Sequence, residues 1–415
     1  MIQSNNYAVH SADVIIIGGG VIGCAIAYYL SQQAVGRVLL IERRLIAEGN
    51  TTRAAALLTR ARVKTCLMPL IRETYQVVEE LEDQLGEKLG LRQVGSLHVA
   101  TSPATKYELN ELVEIARQAR LEAYWVASED AEAMAPWLDL GKGAWAAYMP
   151  DDAFIDPHVL THAYARAAQQ NGAIIWQTTA VTEILRLGHQ IVGVNTALGF
   201  VASPIVIDAA GVWAGLLAQQ IGCSLPMAPV RSHYWITTSQ NGLFHREQPI
   251  VILPDAKAYT RPEGTGLLFG LREEHVVSVD PRMLPEDMNE LVLNDDRKGW
   301  GTLIDGAPAL LPFFPALERL EIAHYIVGLS TYTPDGLFVL GGLPGLKGFL
   351  AATGCSGLGI AASGGIGLAL AQLATDQPCS FDLAPYRIDR FGPIDPMSEE
   401  FRWRCAYTRS KKTSG

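Results

Sequence analysis

Apolar and polar positions follow two rhythms along this chain. In one, apolar residues run on without a polar break: Val14-Ile15-Ile16-Ile17, then three glycines, then a helical spread of small and apolar residues ending Tyr28-Tyr29-Leu30, then Val38-Leu39-Leu40-Ile41 closed by Glu42. Unbroken apolar runs of this length suit strands buried on both faces, as in a parallel sheet. The pattern predicts strand, glycine turn, helix and second strand. Val206-Ile207-Asp208-Ala209-Ala210-Gly211 repeats a buried strand ending in small residues, and residues 349–360 repeat strand, glycine-rich turn and helix. In the other rhythm, from residue 227 to about 321, apolar and polar residues alternate, with strands expected at 233–238, 250–253 and 266–270; this is the mark of an antiparallel sheet.

Between these stretches the spacing predicts further elements. An amphipathic helix over 67–89 places Leu67, Leu70, Ile71, Tyr75, Val78 and Leu81 on one face. A strand follows at 95–99 and a polar helix at 106–119. A turn at 150–157 leads into a helix running to about 171, and strands are expected at 173–177 and 192–198. Residues 47–58 read as a small-residue loop entering a helix. The fold class is α/β (α+β overall), with a discontinuous, Rossmann-like nucleotide-binding domain from 1–95, 150–226 and 322–385. A mainly antiparallel substrate domain comes from 96–149 and 227–321, and 386–415 form a C-terminal tail.

The first glycine turn carries the chemistry. Gly18 permits a tight turn off the strand, Gly20 lets a pyrophosphate approach the backbone, and Gly23 lets the helix pack closely on the sheet. The N–H groups of the helix start, around Val21 and Ile22, then face the phosphates. Glu42 lies about 20 residues further on, where a carboxylate accepts the hydrogen bonds of a ribose diol. Strand, turn, helix, second strand and acid agree, so a dinucleotide is the expected ligand.

Composition narrows the class. The 415 residues are 49% hydrophobic and 18% charged, which suits a packed globule of two or three domains. A net charge of −10 argues against nucleic acid as a partner. The basic, aromatic stretch 401–412 is read as a solvated terminus. Six scattered cysteines without CxxC spacing suit free thiols in a reducing compartment and no metal site. Residues 1–12 lack a secretory pattern and no apolar stretch is long enough to span a bilayer, so a soluble, cytoplasmic protein is expected.

The motifs also occur in a familiar order. The N-terminal fingerprint, GNTTRAAALL (49–58), PDDAFIDP (150–157), VIDAAGVWA (206–214), YTRPEGTGLLFG (259–270), STYTPDG (330–336) and ATGCSGLGIAASGG (352–365) resemble the FAD-dependent amine oxidoreductases of the D-amino-acid oxidase superfamily. Within it they are most like the sarcosine and dimethylglycine dehydrogenase branch. The resemblance covers about 13–373 and implies an FAD-binding domain with an antiparallel substrate domain over the isoalloxazine. It implies FAD contacts from Gly18, Gly20, Val21, Ile22, Gly23, Glu42 and Arg43, and from the loop Asn50, Thr51, Thr52, Arg53, Ala54, Ala55, Ala56 and Leu57. Further contacts are implied from Val181, Ala209, Ala210, Gly211 and Trp213, and from Gly354, Ser356, Gly357, Leu358, Gly359 and Ile360.

Departures from the family pattern matter too. The branch carries a folate-binding module after this unit, for which the sequence ends too soon. The histidine that bonds flavin covalently in that branch corresponds to Arg53, and the cysteine that does so in monomeric sarcosine oxidases corresponds to Ser330. FAD is therefore expected to be non-covalent. An oxygen-activating lysine and a carboxylate-binding lysine of those oxidases correspond to Leu268 and Ala361, which puts fast oxygen reduction and simple sarcosine binding in doubt.

Amine oxidation needs an unprotonated substrate nitrogen, favoured in an apolar enclosure, and donors for a substrate carboxylate. Candidates lie on the antiparallel segment, in Ser232-His233-Tyr234 and Tyr259-Thr260-Arg261. His233 is read as proton acceptor or substrate orienter, Tyr259 as hydrogen-bond donor to the carboxylate, and Arg261 as its charge partner. Alternation places Tyr259 and Arg261 on one face. Asp208 and Asp335 are read as turn and capping residues. The expected activity is oxidation of a secondary or tertiary amine of an N-substituted amino acid to an imine. Two alternatives stay open: a catalytic subunit of a hetero-oligomeric amino-acid or opine dehydrogenase or oxidase passing electrons to a partner protein, and a flavin-binding or electron-relay protein without turnover.

Overall fold

A computed structural model describes residues 10–33, 35–240, 242–291, 293 and 299–412. The first nine residues, read above for a leader, and the last three of the tail lie outside them. The unbroken apolar runs form a six-stranded sheet in the order Val339–Gly342, Phe349–Thr353, Ile205–Asp208, Val14–Ile17, Val38–Ile41 and Ile174–Trp176. Its neighbours are parallel except for the hairpin formed by the first two. Val14 pairs with Ile205 on one side and Val38 on the other, so the strand entering the glycine turn is central. Three separate stretches of chain build this sheet.

Helix Val21–Ser31 is buried over all but its last residue and packs against helices Pro157–Gln170 and Ser363–Ala374. Small and apolar residues on every side are what a helix inside a layer requires. Helix Met68–Leu85 buries one face, including Leu70, Ile71, Tyr75, Val78 and Leu81, and ends where Gly86 takes φ 67°. Pro157 at the first turn and Asp156 as N-cap, accepting from the His158 and Val159 N–H groups, start the helix at 157.

The region read as alternating builds an eight-stranded sheet in the order Ile322–Tyr332, Ala228–Thr237, Gly266–Leu271, Ala258–Glu263, Ile250–Leu253, Ser96–Ala100, Trp145–Met149 and Tyr124–Val126. All neighbours are antiparallel except Ile250–Leu253 beside Ser96–Ala100.

Three expectations are corrected here. Ile322–Tyr332, which the boundary at 322 gave to the nucleotide domain, pairs along the whole of Ala228–Thr237 as the edge strand of the eight-stranded sheet. Residues 47–58 do not enter a helix: one 3-10 turn, Thr51–Arg53, leads to a short strand, Leu57–Leu58, paired with Ala153–Phe154. Nor is the tail solvated. Ser398 caps a helix, Glu399–Ser410, whose Phe401, Cys405 and Ala406 are buried against Ala228, Val230 and Tyr332. Its basic residues lie mostly on the other faces, which is why composition concealed the apolar stripe.

Candidate active site

The carboxyl end of Val14–Ile17 meets the antiparallel sheet across a cavity of about 420 Å³. At one end stands the glycine turn. Gly18 has φ 107°, and a Cβ there would lie 2.5 Å from the Ala209 carbonyl oxygen. A Cβ at Gly23 would overlap the Gly18 carbonyl oxygen, so strand and helix meet only because both residues lack side chains. The helix start carries no side-chain cap and no acidic residue in its first turn. Its positive end is thus open toward the cavity, and Thr51 ties the following loop to it by accepting from the Val21 N–H at 3.1 Å.

Glu42 accepts from the Gly19 N–H at 2.6 Å and the Arg44 N–H at 2.7 Å; burial raises its pKa. Arg43 stacks 3.5 Å over the Trp213 ring. The Asn50 amide oxygen is buried without a hydrogen-bond partner. An open helix end and a carboxylate on the second strand, both at the cavity wall, fit a dinucleotide.

The structure brings most of the sequence-predicted residues to this cavity. Gly23, Thr52, Gly354, Ser356 and Leu358 do not line it. Gly23 sits behind the turn, Leu358 is in the core, and Thr52 faces a second recess beside His158 and His162. Gly354 and Ser356, with φ 66° and 48°, shape the glycine-rich turn, which is pinned where the Ser356 N–H donates to the Thr331 carbonyl at 2.7 Å. Arg53 lines the cavity, but its guanidinium donates to the Glu48 and Gly49 carbonyls and to Asn289. Ser330 lines it as well, accepting from the Asn50 side chain at 3.4 Å, as does Ala361; Leu268 is buried in the sheet and does not.

At the far end, His233 and Tyr259 line the cavity. The His233 side chain is fully buried, with Nδ1 2.8 Å from the Tyr325 hydroxyl and Nε2 3.3 Å from a Glu273 oxygen that also pairs with Arg231. Burial, with Arg409 and Arg231 nearby, pushes its pKa down to about 2, so the imidazole is neutral at pH 7. Nδ1 is taken by Tyr325, whereas Nε2 is buried without a hydrogen-bond partner, so neither nitrogen is open to the cavity and the geometry makes His233 a positioning residue. Burial holds the Tyr259 phenol above its usual pKa, which keeps it protonated as a donor.

Arg261 is not at the cavity. It does share a strand face with Tyr259, but its Nε donates to the Ala55 carbonyl at 2.7 Å and its Nη1 pairs with Glu263 at 2.5 Å. It braces the cavity-lining loop from behind; an alternating strand fixes the face and leaves the reach of a long side chain open.

Among the lining residues missed as site residues are the cations Arg272, Arg409 and Lys412. Arg272 stands just past the strand end, and the other two belong to the C-terminal helix and the residues after it. The signal available for the latter pair was the basic stretch 401–412, had its Phe401, Cys405 and Ala406 been read as one apolar stripe. Among the described residues no three His, Cys, Asp or Glu side chains are gathered for a metal ion, and no helix is long and apolar enough to cross a membrane.

A parallel sheet with an open helix end at its carboxyl edge, roofed by an antiparallel sheet, defines a mixed α/β fold of the dinucleotide-dependent oxidoreductase class. Residues 13–373 match the family model of FAD dependent oxidoreductases (DAO), and the chain belongs to that family. FAD is accordingly its cofactor. It is 29% identical over 392 residues to human mitochondrial dimethylglycine dehydrogenase, covering 92% of this chain and 44% of that protein. It is 28% identical over 390 residues to the glycine oxidase of Geobacillus kaustophilus, covering 92% and 97%. Among solved structures, L-proline dehydrogenase from P. horikoshii superposes with a TM-score of 0.81 at 23% identity, covering 92% of this chain and 98% of that one, which speaks to the fold alone. The chain thus spans less than half the length of the dimethylglycine dehydrogenases and nearly all of the glycine oxidase.

Proposed function

We propose that the chain oxidises the C–N bond of an N-substituted amino acid, using non-covalently held FAD. The observation that carries this reading is a single cavity that joins the dinucleotide cradle to Tyr259 and Arg272. Bound FAD would supply the two-electron acceptor for hydride loss from the carbon next to the substrate nitrogen, leaving an imine for water to hydrolyse to an amine and a carbonyl compound.

This chain's residues bind and orient. Arg272, whose pKa burial lowers to about 10, is still cationic at pH 7 and takes a carboxylate with the Tyr259 hydroxyl beside it. The buried phenols and the Ala54–Leu57 loop keep water from the reacting carbon and favour the neutral amine over the ammonium. His233, hydrogen-bonded to Tyr325 of the neighbouring strand, helps to fix the strand that carries Tyr234. Arg53 and Ser330, in the places of the family's flavin-bonding residues, support non-covalent binding; Leu268, in the place of an oxygen-activating lysine, supports an electron acceptor other than oxygen, and Ala361, in the place of a carboxylate-binding lysine, leaves the substrate carboxylate to other donors. Domain limits are read the same way: an FAD domain from the pieces of the six-stranded sheet and a substrate domain from the eight-stranded one.

The test is anaerobic addition of N-methyl amino acids to the yellow protein. Bleaching followed by slow recovery in air is expected. Absence of bleaching with every amine tried would remove the catalytic reading in favour of a flavin carrier, and fast recovery in air would point to an oxidase.

A further inference from the structure

Residues 279–291 follow the strand Gly266–Leu271 of the eight-stranded sheet, yet they reach the opposite end of the cavity. Glu286 and Met288 line it together with the glycine turn and Glu42. The segment leaves the sheet at Val279, whose N–H donates to the Pro229 carbonyl at 2.9 Å. Among the described residues, the backbone–backbone hydrogen bonds of 280–291 are local, closing the 3-10 turns Pro281–Met283 and Met288–Glu290. The facing walls, the glycine turn and the strand ends at Ile41 and Asp208, are instead held by parallel ladders.

Side chains tie the segment down. Arg43 Nη2 donates to the Glu286 carbonyl at 2.6 Å, and the same guanidinium is fixed 3.5 Å over the Trp213 ring. Arg44 Nη1 pairs with Asp287 at 3.0 Å. Arg53 Nη2 donates to the Asn289 side-chain oxygen at 2.5 Å. Between these polar ties Met288 points inward, 4% exposed, in a cluster with Val212 and Leu329. Three arginines from the strand end and loop that build the dinucleotide cradle thus hold a segment that belongs in sequence to the second sheet. A segment held by side chains and lacking ladder bonds opens at lower free energy than the sheets beside it. It is the movable wall at this end of the cavity.

We infer that residues 279–291 clasp the FAD site at its Glu42 end, with the Arg44–Asp287 pair and the buried Met288 setting how fast the cofactor leaves. The inference rests on the non-covalent FAD proposed above and is independent of the substrate. A flavin without a covalent bond is retained by contacts alone, and the clasp lengthens its stay because the polar ties and the methionine must be released together. Arg44, Asp287 and Met288 are then retention residues, acting on the cofactor through the segment they fasten.

The test times the release of FAD from the loaded protein, by ultrafiltration after dilution. Wild type is compared with Asp287→Asn, Met288→Ala and a distant control, Asp389→Asn, which removes the exposed Arg387–Asp389 pair. Asp287 accepts from the Asn289 N–H at 2.8 Å at the start of its turn, and asparagine caps equally well, so Asp287→Asn removes the charge and keeps the local fold. Release is expected to be about threefold faster in Asp287→Asn, the scale of one partly exposed ion pair. In Met288→Ala it is expected to be about tenfold faster, through lost burial. Raising salt from about 0.05 to about 0.5 M should speed release from the wild type more than from Asp287→Asn, which lacks the pair that salt screens. Wild-type rates in both variants, or a control as fast as Asp287→Asn, overturn the inference. Flavin retained on the acid-precipitated chain overturns it together with the non-covalent reading, whereas free flavin leaving at unchanged rates defeats the clasp alone. The proposed amine oxidation is read separately, by bleaching.

Discussion

Single residues at this site are defined by what surrounds them more than by their type. Asp208 shows it. Its Oδ1 accepts from the Ala210 N–H at 3.1 Å, while Oδ2 is buried without a partner, and burial raises its pKa to about 7 from 3.8. The folded state holds this proton up to about pH 7, whereas the unfolded chain releases it near pH 4. In that window the native protein binds more protons, so stability falls as pH rises, by up to about 1.4 kcal/mol per pH unit. Asp208→Asn keeps the Ala210 contact and removes the titration. Its thermal midpoint is expected to vary less than that of the wild type between pH 5 and 8, with a gain on the order of 1 kcal/mol at pH 8. Thermal melts of the FAD-loaded proteins at stepped pH check this; parallel curves for the two proteins would rule out Asp208 as the source.

The elements differ in how far the sequence disclosed them. Strand Val14–Ile17, its glycine turn and helix Val21–Ser31 were legible because every level agrees there: an unbroken apolar run, glycines where backbones touch, and a helix apolar all round. The strands of the second sheet were placed correctly, and Tyr259 with them, but the expected alternation is absent: Ile250–Leu253 and Gly266–Leu271 are apolar and buried throughout, because packed clusters cover both faces of the sheet. Less could be read where geometry is set by distant partners. Strand Ile322–Tyr332 has a half-exposed first half and a buried second half, and nothing local says which sheet it joins. Helix Glu399–Ser410 is dominated by charge, yet Phe401 is 4% exposed against the strands that carry the site. Phe401→Ala is expected to cost about 3 kcal/mol through lost burial and the cavity left behind. Because this helix contributes only Arg409 to the cavity wall and none of the glycine turn, FAD is expected to stay bound. Denaturant melts with a flavin-to-protein ratio measure both, and an unchanged melt would mean the helix is not docked.

At the scale of the whole molecule, the cavity is where separate stretches of chain meet. The N-terminal turn, the strand end at Ala209–Gly211, the turn at Gly357–Ile360, the roof strands and the C-terminal helix all contribute walls to it. These stretches are far apart in sequence, so the site exists only in the folded protein, and a ligand that fills it binds the native state alone. Such a ligand stabilises by mass action, by about 2.7 kcal/mol at a hundredfold excess over its dissociation constant. With Arg53 drawn to the Glu48 and Gly49 carbonyls and Ser330 a weak nucleophile, the flavin should also leave intact when the fold is lost. Acid precipitation is therefore expected to put the yellow colour in the supernatant as free FAD. The flavin-depleted protein should melt several degrees lower and recover its midpoint on adding FAD, in proportion to the logarithm of its concentration. Colour retained on the precipitated chain would mean a covalent bond through some other residue, and a midpoint indifferent to FAD would mean that the walls of this cavity hold together without it.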